Sequence, residues 1–328
     1  MAMKTEILTL LRESGDYISG QELCGRFHVS RTAVWKVMKQ LQQEGYIIEA
    51  VRNKGYMLKE NPDVLTRSEL KSRIHNRWAG NEIYFYEETG STNIDAKRLG
   101  EEGAPHGTVV AADKQNSGRG RRGRTWESPA GKDIYFTILL RPEFPPDKAA
   151  GLTLVMALSV VQAIEEECGM EAGIKWPNDV VMNGKKVCGI LTELTTETDY
   201  IQYVVTGVGI NVNLEVMPKE IDETATSLLL EGGKRIGRAG LLQKVLKKFE
   251  GNYEKYAKSL DMALLEDEYN ARLVNRDRQV RVLDPKGEWE GIARGINASG
   301  ELLVEKETGE TVEVYAGEVS VRGLYGYV

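Results

Sequence analysis

Apolar positions in the first sixty residues recur with a helical period and then switch to alternation. In MKTEILTLLRES, Ile7, Leu8, Leu10 and Leu11 lie close to helical spacing, and Gly15-Asp16 supplies a stop. Ser19 and Glu22 have the spacing of a capping box, which predicts a short second helix. Ser30 is a second N-cap, after which Val34, Val37, Met38 and Leu41 fall at i, i+3, i+4 and i+7 on one face of a third helix. The opposite face carries Arg31, Thr32, Trp35, Lys36, Lys39 and Gln40, a polar and basic set with the profile of a recognition helix. Beyond Gly45, YIIEAVRNKGYML predicts two short strands around an Asn53-Lys54-Gly55 turn, with Arg52 and Lys54 near its tip. Three helices and a basic hairpin predict a winged helix-turn-helix, with Ser30, Arg31, Thr32, Trp35, Lys36, Lys39, Arg52 and Lys54 as its DNA-contacting residues. The same pattern allows a plain docking or dimerisation module.

The remainder is mixed. Asn61-Pro62-Asp63 reads as a linker, so we set the first domain at 1–62 and the next from 65. Strands are predicted near 82–86, at 108–113 and over DIYFTILLR, with a helix after Ser91. The most apolar run, 149–164, is interrupted by Gly, Thr, Ser and Gln and reads as a buried helix too short to span a membrane. Two strands flank an Asn183-Gly184 hairpin turn, and YIQYVVTGVGINVN is another strand. Strands joined by hairpins and flanked by helices predict an α+β domain with a mixed sheet over 65–272, closed by a helix near 239–257. QVRVL, EWEGIARGI, ELLVEK, TVEVY and EVSVRGL then predict a separate small barrel over 273–328.

Composition narrows the setting. The 328 residues suffice for two or three domains. Cys24, Cys168 and Cys188 are odd in number and widely spaced, which implies reduced thiols, a cytoplasmic protein and no structural metal. The N-terminus lacks the uninterrupted apolar run and cleavage site of a signal peptide. Residues 1–60 hold nine Lys/Arg against seven Asp/Glu, a net +2, so with an overall charge of −6 the remaining chain carries −8 and only the N-terminal segment leans basic.

Against that acidic background stands GRGRRGR, 118–124. Its glycines permit backbone conformations closed to other residues, so that amides can curl toward an anion, and Arg119, Arg121, Arg122 and Arg124 add forked cationic donors. Mutual repulsion predicts a poorly ordered loop that a polyanion would order. No G-x-x-x-x-G-K-[ST] loop is present, His28, His75 and His106 are scattered, and no Ser or Cys sits in a nucleophile motif. Lys186 alternates with Cys188 and Ile190 on one predicted strand face, apolar company that favours a working lysine.

Taken with STN at 91–93, Gln115, KWPNDV at 175–180, KKVCGIL and GVGINVN, the arginine loop resembles one family over essentially the whole chain. That family is the bacterial bifunctional biotin protein ligases that also repress the biotin operon. The resemblance implies a class II synthetase-like central domain and a C-terminal SH3-like barrel. It implies two steps: biotin and MgATP form biotinyl-5'-AMP and pyrophosphate, and the adenylate then acylates a lysine of a biotin carboxyl carrier domain. Biotin would meet Ser91, Thr92, Asn93, Gln115, Gly118, Arg119, Arg121, Lys186, Gly189 and Gly207. The nucleotide would meet Arg121, Arg122, Arg124, Trp126, Asn178, Lys186, Asn211 and Arg322. Lys186 and Arg121 would be catalytic, with Asp179 positioning or deprotonating the acceptor lysine or helping to hold Mg2+.

For Ser91 and Thr92 an ordinary helix N-cap is the plainer reading of the residues, as is core packing for Trp126. The implied partners are carrier domains of the acetyl-CoA carboxylase and pyruvate carboxylase type, operator DNA, and a second copy of the chain when the adenylate is bound as corepressor. An interface is expected at the sheet edge with the arginine loop, the 141–146 turn and the 195–200 turn. Two other readings remain open: a non-catalytic ligand-sensing regulator, and a ligase for another carboxylate such as lipoate.

Overall fold

The first apolar stripe forms α1 (Ala2–Ser14). α2 (Gly20–Phe27) starts where Ser19 Oγ accepts from Glu22 N at 3.0 Å, and α3 (Arg31–Gln43) where Ser30 Oγ accepts from Ala33 N at 3.2 Å. Ile7, Leu8, Leu11, Leu23, Val34, Val37, Met38 and Leu41 share one core, with Leu10 at its edge. β1 (Ile47–Val51) and β2 (Gly55–Glu60) pair antiparallel, and Val51 faces Gly55 across the wing tip. Asn53 and Gly55 both take positive φ, and a Cβ at Gly55 would sit 2.0 Å from Ile18 O. Glycine therefore lets the wing root hydrogen-bond Ile18 through Tyr56 in both directions, each at 2.9 Å.

This computed structural model describes residues 2–60, 62–197, 200–284, 287–315 and 320–323, with only the backbone at 2, 60 and 320–323. The chain divides into Met1–His75 with Gly237–Gln243, and Asn76–Ile236 with Lys244–Val328. The first unit thus includes α4 (Arg67–Arg73), capped by Thr66. Glu69 of α4 is wholly buried; its carboxylate accepts from Arg12 Nη2 at 2.9 Å, from Arg73 Nε and from the Tyr46 hydroxyl. Asp63 receives the backbone N–H and the guanidinium of Arg238.

The second unit holds a seven-stranded sheet. Its elements are β3 (Ile83–Thr89), α5 (Thr92–Glu101), β4 (Thr108–Gln115), β5 (Ile134–Leu140), α6 (Gly151–Cys168), β6 (Gly173–Lys175), β7 (Asp179–Met182), β8 (Lys185–Glu197) and β9 (Tyr200–Ile210). Strand order is β3-β4-β5-β9-β8-β7-β6, parallel only between β3 and β4, so the sheet is mixed as expected. β5 is buried along its whole length. With the turn before it, α6 runs from Pro146 to Cys168, long and apolar enough by length and composition to cross a membrane, which the interrupted run does not suggest. Most of that window is buried inside the protein, with Leu154, Val155, Leu158 and Val161 in the core.

α7 (Leu228–Gly232), α8 (Arg238–Ser259) and α9 (Glu266–Asn270) follow. β10 (Arg278–Asp284), β11 (Gly287–Ile296), β12 (Leu302–Glu305), β13 (Thr311–Val314) and β14 (Ser320–Gly323) form an antiparallel sheet ordered β13-β12-β11-β10-β14. It is tied to the central sheet through Trp176, whose N–H donates to Asn275 Oδ1 at 3.0 Å and whose Nε1 donates to Gly300 O at 3.1 Å.

Candidate active site

β7 and β8 pair about the Asn183-Gly184 turn, with one residue too many on β8. Val180 faces Cys188 while Val181 faces Lys186, so Val187 is a bulge and the alternation of side chains reverses there. Lys186 therefore does not share a face with Cys188 and Ile190, as strict alternation predicts. It turns to the side of Gly189, where a Cβ would lie 3.0 Å from Lys186 Nζ. Cys188 is wholly buried on the other side, and burial raises its thiol far above the ordinary range, leaving an inert residue.

Lys186 Nζ meets Asp179 Oδ1 at 2.6 Å and lies 5.3 Å from the Trp126 ring centroid. Asn178 Nδ2 donates to the same carboxylate oxygen at 3.1 Å, and its Oδ1 accepts from Arg121 Nη1 at 3.0 Å. Burial works against the charge on Arg121 and Asp179 offsets it, yet a guanidinium stays protonated. Two cations thus converge on one short segment, an arrangement able to offset the charge of a phosphate or carboxylate in a partly dry site.

Facing them is a polar wall. Ser91 occupies the N-cap position of α5 with extended backbone but makes no capping bond, so it is not the ordinary cap its sequence suggests. Thr92 N donates to Gln115 Oε1 at 2.9 Å, Gln115 Nε2 to Ser128 Oγ at 3.0 Å, and Ser128 Oγ to Trp126 O at 3.1 Å. Thr137 Oγ1, wholly buried on β5, stands 2.8 Å from Thr92 Oγ1 and 2.6 Å from Asn93 Oδ1. Asn93 Nδ2 donates to Glu193 Oε2 at 2.7 Å, and Lys97 holds the other oxygen of that carboxylate. A Cβ at Gly207 would fall 2.0 Å from Asn93 Oδ1, so only glycine admits this packing. Sequence reasoning missed Ser128, Thr137 and Glu193; the one signal was a hydroxyl inside the apolar run IYFTILL.

The arginine loop is a closed turn. Trp126 N donates to Gly118 O and Gly120 N to Arg124 O, at 2.9 and 2.8 Å, and Arg121–Gly123 form one 3-10 turn. Backbone bonding and the Arg121–Asn178 contact hold this conformation against the repulsion that predicts disorder. Its glycines differ in purpose: Gly123 has φ +72, Gly118 is needed because a Cβ would lie 2.3 Å from Trp126 O, and Gly120 meets neither demand. Arg122 takes the left-handed region itself. The Trp126 ring packs on Gly189 and Gly209, where added Cβ atoms would come within 2.8 and 2.5 Å of it. Its Nε1 is buried with no hydrogen-bond partner among the described residues.

Ser91, Thr92, Asn93, Gln115, Arg119, Arg121, Trp126, Asn178, Lys186, Gly189 and Gly207 all line one cavity of about 50 Å3. Gly118 does not line it and instead backs the Trp126 carbonyl. Beyond Trp126 a second cavity of about 530 Å3 is walled by Arg124, Lys186 and Asn211 with Leu214, Val216, Met217 and Ile221. Asn211 Nδ2 is engaged by Thr226 O at 2.9 Å, and Arg122 lines neither cavity and is exposed. Arg322 falls in β14 opposite Arg281, but its side chain lies outside the described residues. In the 141–146 turn, Arg141 is spent internally on Gly100 O, Ala104 O and Gln202 O, and residues 198–199 of the 195–200 turn lie outside the described residues. On the first unit, Ser30, Arg31, Thr32, Trp35, Lys36 and Lys39 are exposed along α3, as are Arg52 and Lys54 at the wing tip.

A winged helix-turn-helix in one unit, and in the other a mixed sheet whose cation pair faces a polar wall, define a ligase body carrying a DNA-binding domain. Family models match in the same order: a helix-turn-helix domain over 4–57, the biotin/lipoate A/B protein ligase family over 84–211, and the biotin protein ligase C-terminal domain over 277–322. The bifunctional ligase/repressor BirA of Bacillus subtilis is 39% identical over 324 residues, covering 97% of this chain and 98% of that protein. The BirA of Escherichia coli is 30% identical over 326 residues, 96% of each. The biotin protein ligase from Aquifex aeolicus, solved in complex with biotin and ATP, matches with a TM-score of 0.66 at 34% identity over 74% of this chain and 99% of that one. The chain belongs to the bifunctional ligase/repressor BirA family.

Proposed function

We propose that this chain is an ATP-dependent biotin protein ligase and, through its winged helix, a repressor that binds operator DNA. The observation that carries the reading is the convergence of Arg121 and Lys186 at Asn178-Asp179, opposite Thr92 and Gln115. In the first step a biotin carboxylate oxygen attacks the α-phosphorus of ATP, and the bond to the bridging oxygen breaks to release pyrophosphate. Both reactants are anionic, so two fixed cations at their meeting point lower the barrier by electrostatic stabilisation. In the second step a carrier lysine amine attacks the acyl carbon, the bond from that carbon to the phosphate oxygen breaks so that AMP leaves, and the proton shed by the amine passes to solvent. Asp179, 2.6 Å from Lys186 Nζ, orients Lys186 in both steps.

Arg124 and Trp126 face the nucleotide side, and Asn211 serves it through the backbone it braces. Among the described residues no three His, Cys, Asp or Glu side chains gather as a metal cage. The residues therefore fit Mg2+ only as an ion carried on the nucleotide phosphates, where it would neutralise charge. The ligand cavity of about 50 Å3 is far below the roughly 300 Å3 of a small-molecule site. Ligand entry hence requires Trp126 and the arginine loop to move, and reclosure over the adenylate makes the loop the ligand-sensitive element. Pairing of two closed protomers would present two recognition helices to a palindromic operator, with biotinyl-5'-AMP as corepressor. Such a protein works in the cytoplasm on carrier domains of biotin-dependent carboxylases.

Incubation with biotin, MgATP and a carrier domain tests the enzyme; a carrier without attached biotin would overturn the reading. Sedimentation with and without biotinyl-5'-AMP tests the switch, since a monomer in both conditions excludes ligand-dependent pairing.

A further inference from the structure

We infer that Glu193, acting through Asn93 and Thr137, sets the direction of the hydrogen bonds at Thr92 and so makes its hydroxyl an obligate acceptor for a ligand N–H. The inference rests on the biotin-ligase reading and concerns how that ligand is told from others.

Proton accounting fixes the chain from its charged end. An ionised carboxylate only accepts, so the Asn93 atom 2.7 Å from Glu193 Oε2 is the amide nitrogen. Asn93 Oδ1 then points at Thr137 Oγ1, 2.6 Å away, and must receive its proton. A hydroxyl has one proton. The contact of 2.8 Å between Thr137 Oγ1 and Thr92 Oγ1 would set lone pair against lone pair unless Thr92 donates. Thr92 has one proton, and the 2.8 Å contact with Thr137 Oγ1 takes it in preference to the longer 3.2 Å hydrogen bond open to it at Gln115 Oε1. What Thr92 Oγ1 presents to the cavity is lone pairs.

The neighbouring glutamine is fixed just as firmly in the opposite sense. The backbone N–H of Thr92 can only donate, which places Gln115 Oε1 beside it. Ser128 spends its proton on Trp126 O and therefore accepts from Gln115 Nε2. One Gln115 N–H remains for the ligand. The wall thus offers an acceptor and a donor side by side, the complement of a group with adjacent N–H and C=O. A ureido ring satisfies both; a dithiolane satisfies neither, and a site built this way strongly rejects analogues that lack the N–H. Glu193, Asn93 and Thr137 are positioning residues, since Thr92 stands between them and the ligand.

The test compares the full-length wild type with Thr137→Val, which keeps the side-chain shape and removes the hydroxyl, with Thr137→Ser, which restores it, and with Glu193→Gln. Steady-state transfer to a carrier is measured with biotin and with biotin methylated on its ureido nitrogens. Thr137→Val and Glu193→Gln are expected to raise KM for biotin about tenfold, one hydrogen bond's worth, with KM for ATP within about twofold of wild type. The preference for biotin over the methylated analogue should shrink by the same factor, and Thr137→Ser should recover it. Unchanged biotin KM and unchanged preference in both variants would overturn the relay. A wild type that transfers no biotin would instead overturn the ligase reading itself.

Discussion

Lys186 shows how one residue's surroundings decide its chemistry. Its Nζ is bracketed by a carboxylate and the face of an indole, which fixes its position, and the proposed stabilisation of an anionic transition state requires that placement. Lys186→Ala is expected to cut biotin-dependent pyrophosphate exchange about a hundredfold or more, the scale seen when one such group is lost. Near-normal exchange would show that Arg121 suffices. Gly207 makes the opposite point, that a missing atom can be functional. Gly207→Ala drives a methyl into Asn93 Oδ1 and should weaken biotin binding, measured by calorimetry, while leaving ATP binding intact. Equal biotin affinity in the variant would mean that Asn93 has room to move. Both residues were legible in the sequence as site candidates. Thr137 was not, because a buried threonine in an apolar strand carries no sign that distinguishes a packed side chain from a relay.

Burial sets the energetics of two elements away from the site. α4 is anchored by a carboxylate with no solvent exposure and three protein partners. Glu69→Gln removes the charge that offsets Arg12 and Arg73, and breaking such a pair costs about 3–5 kcal/mol. Denaturant unfolding should show that loss, with carrier biotinylation unchanged in the absence of denaturant; a stability equal to wild type would discount the cluster. His106 packs against Trp78 with ring centroids 4.5 Å apart, its Nδ1 accepts from Arg141 N at 3.0 Å, and burial holds its pKa below the ordinary 6.5. The folded state therefore binds fewer protons there than the unfolded chain, so this contribution is present above pH 6.5 and is lost as the pH falls below it. The melting temperature should drop on acidification from about pH 7.5 to 5.5, and His106→Gln should flatten that slope. A slope unchanged by the substitution would assign the effect to other groups. Helix starts at Ser19 and Ser30 and the turn at Asn183-Gly184 were readable because each is made by residues adjacent in the chain. The bulge at Val187 was not, since it arises only from pairing with a second strand.

For the whole molecule, the division at His75 bears on which fragment works. The Aquifex ligase is matched over 99% of its length by 74% of this chain, so the rest of this chain has no counterpart in that relative. We expect removal of residues 1–75 to yield a more stable ligase than removal of 1–62, because the shorter cut strips Glu69 of Arg12 and Tyr46. Thermal melts of the two fragments decide this, and a higher melting temperature for the longer one would reverse it. Both should lose operator binding in a gel-shift assay. The winged helix, the α+β class and the family were readable from the sequence alone, because periodicity, caps, turns and motifs are carried by residues near one another in the chain. Which way Lys186 faces, that Arg141 is internally spent, that α4 belongs with the winged helix, and that a glutamate on β8 meets an asparagine on α5 are visible only in the folded chain. Each of these depends on pairing, burial or proton sharing between segments far apart in sequence, which no local pattern encodes.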